Sequence, residues 1–346
     1  MGKSTLFNAL TSGHAASSNY PFTTIEPNVG VVLVPDGRLA RLTALFHPKK
    51  TTPAAVRFVD IAGLVKGAAS GEGLGNKFLA HIREVDAIIH LVRLFKDPDV
   101  IHTMGTVDPK RDIEIIETEL ILADLSSVEK QLEKVQGKAR TGDKASALAM
   151  AVLGKLKDGL SAGKTARSLG LSEADIRDFF LLTAKPVLYV GNTDETPDPA
   201  HFAAFAAVAK ERGSDCLSVC GKIEAEIVEL PEEDRGPFLA DLGLTQTGLE
   251  RVIVAAYRLL RLQSYFTAGE DEVRAWTIVE GMRGPQAAGV IHTDFEKGFI
   301  RAEVYPYQEL DRHGSEAALR ERGLIRSEGK DYVVKDGDVC FFKFSS

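Results

Sequence analysis

Val56-Arg57-Phe58-Val59-Asp60-Ile61-Ala62-Gly63 reads as a short apolar strand that ends in a carboxylate and, three residues on, a glycine. In phosphate-binding hydrolases an Asp at such a strand end holds Mg²⁺ through water, and the N–H of the following glycine, here Gly63, senses the γ-phosphate. Far upstream, Met1-Gly2-Lys3-Ser4-Thr5 runs into a helical pattern through Leu6, Phe7 and Leu10. Gly-Lys-Ser/Thr is the second half of a phosphate-binding loop. Lys3 places a point charge on the β- and γ-phosphates, Ser4 offers a hydroxyl to Mg²⁺, and the helix N-terminus turns backbone N–H groups toward the anion. Each tetrapeptide alone is common. The strand-end position of Asp60, downstream of Gly-Lys-Ser, joins them into one site.

The surrounding chain supports an α/β sheet. Residues 29–34, 56–60, 87–92 and 186–191 are apolar runs of strand length, mostly unalternated, as in a sheet covered on both faces. Helical segments intervene, such as 74–85, where Leu74, Phe78 and Ile82 recur every fourth residue. The pattern predicts a doubly wound sheet. It breaks near Pro109. Residues 111–136 read as one long helix, Gly137 and Gly142 bracket a turn, and a second helix carries Leu148, Val152 and Leu156. The strand–helix pattern resumes near Phe179, so this antiparallel hairpin is an insertion. After Gln263 a small α+β module follows, with strands expected at 273–279, 298–304, 332–334 and 339–344 and a helix at 316–322.

Two loops complete the constellation. Asn19-Tyr20-Pro21-Phe22-Thr23-Thr24-Ile25-Glu26-Pro27 is placed where a switch loop would finish the Mg²⁺ shell with a Thr hydroxyl, although alone it reads as a plain turn-rich loop. Asn192-Thr193-Asp194-Glu195 closes the strand at 186–191. Guanine-specific sites have Asn-Lys-x-Asp here, so the missing Lys and displaced carboxylate remove the guanine pairing. Asp60 and Asn192 are 132 positions apart, and the hairpin accounts for the excess over a simple βαβ interval.

Bulk properties narrow the classes further. The 346 residues carry a net charge of −7, so the molecule as a whole is no polycation seeking nucleic acid. Residues 130–167, however, hold nine Lys/Arg against three Asp/Glu, a basic footprint suited to RNA phosphates or a solvated coiled-coil face. Residues 262–346 hold eleven basic and fifteen acidic residues, which gives no such signal. Three cysteines cannot form a disulfide framework, so no disulfide partner is expected. Apolar runs such as Ala87-Ile88-Ile89 are far too short for a membrane span, and the chain is expected to be cytoplasmic, with no membrane association.

Asn19–Gly30, Asp60–Gly75, Asn192–Glu195 and Ala287–Arg301 together resemble the Obg-like ATPase family, also called YchF, over essentially the whole chain. The resemblance implies an α/β P-loop NTPase domain of residues 1–109 and 179–261, a coiled-coil insertion at 110–178, and a C-terminal α+β TGS-like domain at 262–346. It implies ATP as substrate in preference to GTP, Mg²⁺ as cofactor, and association with ribosomes or ribosomal RNA through the hairpin and the TGS domain. Gly2, Lys3, Ser4 and Thr5 match the phosphate loop; Ser4 and Thr24, with Asp60 from the strand end, match the metal site. Asn192 and Thr193, with Glu195 beside them, match the base-contacting segment. Leu64 stands where many GTPases carry a water-orienting Gln, so unaided turnover is expected to be slow, and His102 is the candidate substitute. The rival reading is a nucleotide-controlled binding protein with negligible unaided hydrolysis. Met1 stands just before Gly2, where the family pattern Gly-x-Pro-Asn-Val-Gly-Lys-Ser has Val. Because the valine codon GTG is also a bacterial start codon, the expectation is that the chain as written lacks its first strand and half its phosphate loop. Such a chain is expected to be poorly soluble and to bind ATP hardly at all.

Overall fold

The computed structural model describes residues 2–13, 28–61, 74–97, 100, 105–140 and 143–345. In chain order the first half contains α1 (Lys3–Gly13), β1 (Val29–Leu33), α2 (Gly37–Phe46), β2 (Lys50–Thr52), β3 (Ala55–Val59), α3 (Leu74–Glu84), β4 (Ile88–Arg93), α4 (Pro109–Arg140) and α5 (Lys144–Ser161). There follow α6 (Glu173–Ile176), β5 (Val187–Asn192), α7 (Pro199–Glu211), β6 (Cys216–Val219), α8 (Gly221–Glu229), α9 (Glu232–Asp241) and α10 (Gly248–Leu259). The last part holds β7 (Leu262–Ala268), β8 (Glu272–Val279), α11 (Gly284–Ile291), α12 (Thr293–Lys297), β9 (Phe299–Pro306), α13 (Tyr307–His313), α14 (Glu316–Glu321), β10 (Arg326–Glu328) and β11 (Asp338–Phe344). Two compact units result: Met1–Ala9 with Val59–Leu249, and Leu10–Phe58 with Glu250–Ser346.

The first unit is organised by the parallel sheet β4-β5-β6. All six residues of β5 are buried, which explains the unalternated apolar sequence of that strand. Val92, Leu94, Val187 and Tyr189 pack there with Ile113 of α4 and with Phe205, Val208 and Ala209 of α7. The long helix α4 thus starts on the sheet before it runs out alongside α5, where Ile121, Val128, Leu153, Leu156 and Leu160 form the hairpin core. Asp124 anchors this junction. It is 1% exposed, and its carboxylate accepts the Leu182 N–H at 2.8 Å, the Thr183 N–H at 2.7 Å and the Thr183 hydroxyl at 2.7 Å. Burial still pushes its pKa above the ordinary aspartate value, against those three donors.

The turn between the hairpin helices starts later than the sequence suggests. Gly137 lies inside α4, which continues to Arg140 with Lys138 and Arg140 in its last turn. A glycine inside a helix costs only about 1 kcal/mol relative to alanine, and cations at a helix C-terminus favour continuation.

The second unit is a six-stranded sheet in the order β10-β9-β11-β7-β8-β2. Its edge strand β2 comes from the first part of the chain and pairs in parallel with β8, Lys50 opposite Glu272 and Thr52 opposite Arg274. The core gathers Tyr265, Ile278, Ala287, Phe299, Val304 and Phe342. Residues 332–334, expected as a strand, form only an isolated bridge from Val333 to Arg283. The Tyr332 carbonyl accepts the Gly284 N–H and the Val334 N–H donates to Met282, while the Tyr332 hydroxyl donates to Asp338 at 2.7 Å. The two backbone bonds are the bridge itself, and it extends no further because the chain enters α11 at Gly284. The short strand β10 pairs with β9 instead.

Among the described residues no helix is long and apolar enough to cross a membrane, and the cysteines Cys216, Cys220 and Cys340 are free.

Candidate functional site

Parallel α/β sheets bind ligands at the carboxyl ends of their strands. Here that end gathers the start of α1, Asp60 and the residues after β5. Gly2 has φ +80°, a left-handed conformation open to glycine at no steric cost, and its carbonyl accepts the Leu6 N–H at 2.9 Å to start the helix. The Lys3 ammonium forms an ion pair with the Asp60 carboxylate. Ser4 and Thr5 follow in the first turn of α1, both exposed.

Asn192 joins this segment to the far strand. It is 4% exposed, its side-chain oxygen accepts the Gly221 N–H at 2.9 Å, and a Cβ at Gly2 would collide with its amide nitrogen. Gly221 opens α8, so one buried amide touches the starts of two helices. Thr193 is 8% exposed, and its N–H donates to the Val219 carbonyl at 2.9 Å. Asp194 accepts the Lys96 N–H at 3.2 Å. Glu195 pairs with Lys222 at 2.6 Å, which holds the lysine pKa above its ordinary value although both side chains are solvent-facing.

The structure therefore brings Gly2, Lys3, Asp60, Asn192 and Thr193 into one region. Thr24, Gly63, Leu64 and His102 lie outside the described residues. Lys96, Gly221 and Lys222 were missed. A glycine and a lysine just past β6 were the available signal for the last two, but nothing in sequence spacing links β6 to Asn192.

The donor chemistry fits a triphosphate with a hard cation. A lysine, a helix N-terminus preceded by a left-handed glycine and two exposed hydroxyls suit phosphate oxygens, and a carboxylate with a serine hydroxyl supplies the oxygen ligands Mg²⁺ takes. Among the described residues no group of three or more His, Cys, Asp or Glu side chains is placed to hold a metal alone.

Residues 1–135 match a family described as 50S ribosome-binding GTPase, and residues 262–345 match the YchF-GTPase C-terminal family, described as a protein of unknown function. The chain is 51% identical over 353 residues to the ribosome-binding ATPase YchF of Bacillus subtilis, covering 100% of this chain and 96% of that protein. It is 50% identical over 350 residues to the protein of the same name from Escherichia coli O157:H7, with the same coverage. The solved structure of the Schizosaccharomyces pombe YchF GTPase superposes with a TM-score of 0.88 at 38% identity, covering 99% of this chain and 95% of that one. A GTP-binding protein from Pyrococcus horikoshii shares the fold at a TM-score of 0.63 and 18% identity.

Proposed function

The chain belongs to the YchF family, and we propose from that premise that it is a Mg²⁺-dependent switch that binds and hydrolyses ATP in preference to GTP and works on the ribosome in the cytoplasm. The relatives are named variously ATPase and GTPase, so the base preference has to be argued from the residues. The observation that carries it is the state of the two carboxylates after Asn192. Asp194 already accepts a backbone N–H from Lys96, and Glu195 is tied to Lys222. Glu195, at the position of the Asp in Asn-Lys-x-Asp, carries its carboxylate one methylene further out and would have to leave Lys222 to meet the pair of N–H groups that guanine presents, and an unmet pair of guanine donors would be costly.

In this reading Lys3 leaves Asp60 to neutralise the β- and γ-phosphates, while Gly2 and Thr5 shape the cradle and Ser4, Thr24 and Asp60 hold Mg²⁺. Held by these three residues, Mg²⁺ would supply positive charge to offset the negative charge that develops on transfer. Gly63 would report the γ-phosphate, and His102 would do the work of the glutamine that Leu64 replaces. Asn192, Thr193 and Glu195 would line the base. The division into a nucleotide domain (1–109 and 179–261), a hairpin (110–178) and a TGS-like domain (262–346) belongs to the same proposal, with the hairpin and the last domain as ribosome contacts. The rival, a nucleotide-controlled binding protein, is favoured by Leu64 alone.

Titration calorimetry with ATP and GTP in the presence of Mg²⁺ tests the base preference, and micromolar ATP binding by this chain would overturn the expectation that it binds ATP hardly at all. ATP should bind at least about tenfold more tightly, a difference of roughly 1.4 kcal/mol. Equal or tighter GTP binding would end this reading.

A further inference from the structure

Arg93 ends β4 in register with Asn192 on β5, and it is only 4% exposed. Its guanidinium is spent on the chain that follows. Nε donates to the Phe95 carbonyl at 3.1 Å, Nη2 to the Asp97 carbonyl at 3.1 Å and Nη1 to the Val100 carbonyl at 2.8 Å. The same group lies 4.3 Å from the centre of the Phe95 ring. Burying a cation is costly, and a fold that needed only a filled core would use an apolar side chain here. Three carbonyls, each met by a different nitrogen, suit the planar fork of Arg, which the single nitrogen of Lys does not reproduce.

The clasped segment runs along the residues after β5. The Leu94 N–H donates to the Asn192 carbonyl at 2.8 Å, and the Lys96 N–H reaches the Asp194 carboxylate at 3.2 Å. The approach is close because residue 191 is glycine: a Cβ there would stand 2.5 Å from Leu94 Cδ1. Asn192 in turn abuts Gly2. The phosphate end, the Asn192–Glu195 segment and the Arg93-held segment thus follow one another across the carboxyl ends of the strands.

We propose that Arg93 is a positioning residue for base recognition: by clasping the carbonyls of Phe95, Asp97 and Val100 it fixes the backbone wall beside Asn192–Glu195 that the base meets. This rests on the ATP-binding reading above. Substituting Arg93→Lys keeps the charge but cannot reproduce the fork, and Arg93→Gln removes both.

The test measures binding of ATP, GTP and inorganic tripolyphosphate, each with Mg²⁺, to the full chain and both variants, together with hydrogen exchange at Lys96. In Arg93→Lys, ATP affinity should fall about tenfold while tripolyphosphate stays within about twofold, so the ATP:GTP ratio moves toward one. Exchange at the Lys96 amide should rise with that of the β5 amides unchanged. ATP and tripolyphosphate falling by the same factor, or an unchanged base ratio, would overturn the assignment. If the unsubstituted protein itself shows no base preference, the ATP reading fails; a Lys96 amide unmoved by Arg93→Lys would then overturn the clasp as well, and one released by it would leave the clasp standing.

Discussion

The side-chain oxygen of Asn192 accepts the backbone N–H of Gly221 at 2.9 Å in a buried setting, so the end of β5 and the start of α8 are held by a single amide. Asn192→Ala leaves that buried N–H without its acceptor, at a cost of about 1–3 kcal/mol. Asn192→Asp keeps the acceptor but sets a negative charge against Gly2 in the phosphate-binding turn. Urea unfolding should therefore rank Ala below Asp, whereas ATP affinity should suffer in both. ATP binding unchanged in the Asp variant would detach Asn192 from the nucleotide.

Asp124 meets two backbone N–H groups and a hydroxyl with two oxygens, and its Oδ2 takes two of the three. An amide cannot accept at both positions, so Asp124→Asn should destabilise the first unit by roughly 2–3 kcal/mol through an unmet donor. Thr183→Val removes one donor but also the hydroxyl that accepts the Ala166 N–H at 2.9 Å, and should cost about 1–2 kcal/mol. The two changes share partners, so a double-mutant cycle should show strong non-additivity. Simple additivity would mean the anchor is not one network.

His90 lies with its ring 5.4 Å from that of Tyr189, and burial together with the Arg167 and Arg212 charges pulls its pKa from 6.5 down to about 4, against a smaller opposing pull from Asp112. The folded chain therefore binds fewer protons than the unfolded chain between those values. Stability is fully present above about pH 6.5 and falls as pH drops toward 4, by at most about 3 kcal/mol. His90→Phe should flatten this part of the pH–stability curve measured by denaturant titration. An identical slope in the variant would assign the loss to other groups.

The legible parts of this chain were those fixed by local pattern. The unalternated run at β5 reflects burial of a whole strand and appears in a single stretch of sequence, whereas on α5 the buried leucines are Leu153, Leu156 and Leu160, and Leu148, which the fourfold spacing places on the same face, is 67% exposed. Lys3, Asp60 and Asn192 were legible because their spacing carries a mechanism. The placement of β2 was not, because three residues with one buried side chain give no period to read, and their partner β8 is more than two hundred positions away. Arg93 was hidden for a different reason. Its partners are carbonyls of its own loop, and backbone acceptors leave no mark on residue identity.

The hairpin carries the ribosome proposal into a measurement. Lys130, Lys134, Lys138, Arg140 and Lys144 are all exposed, at the end of α4 and the start of α5, while the hairpin core is buried beneath them. Replacing all five with Gln removes charge without opening the core, since Gln matches Lys and Arg in helix propensity. If this end meets RNA phosphates, co-sedimentation with ribosomes should weaken most at low salt. The slope of affinity against salt should also fall by nearly one unit for each residue that makes a contact. A solvated coiled-coil face would behave otherwise: the charges would be lost with no change in slope. ATP hydrolysis without ribosomes should be the same in both proteins, because none of the five belongs to the nucleotide region. A drop in that basal rate, with binding to ribosomes intact, would show that the charges serve the enzyme's own fold and would remove the hairpin from the list of ribosome contacts.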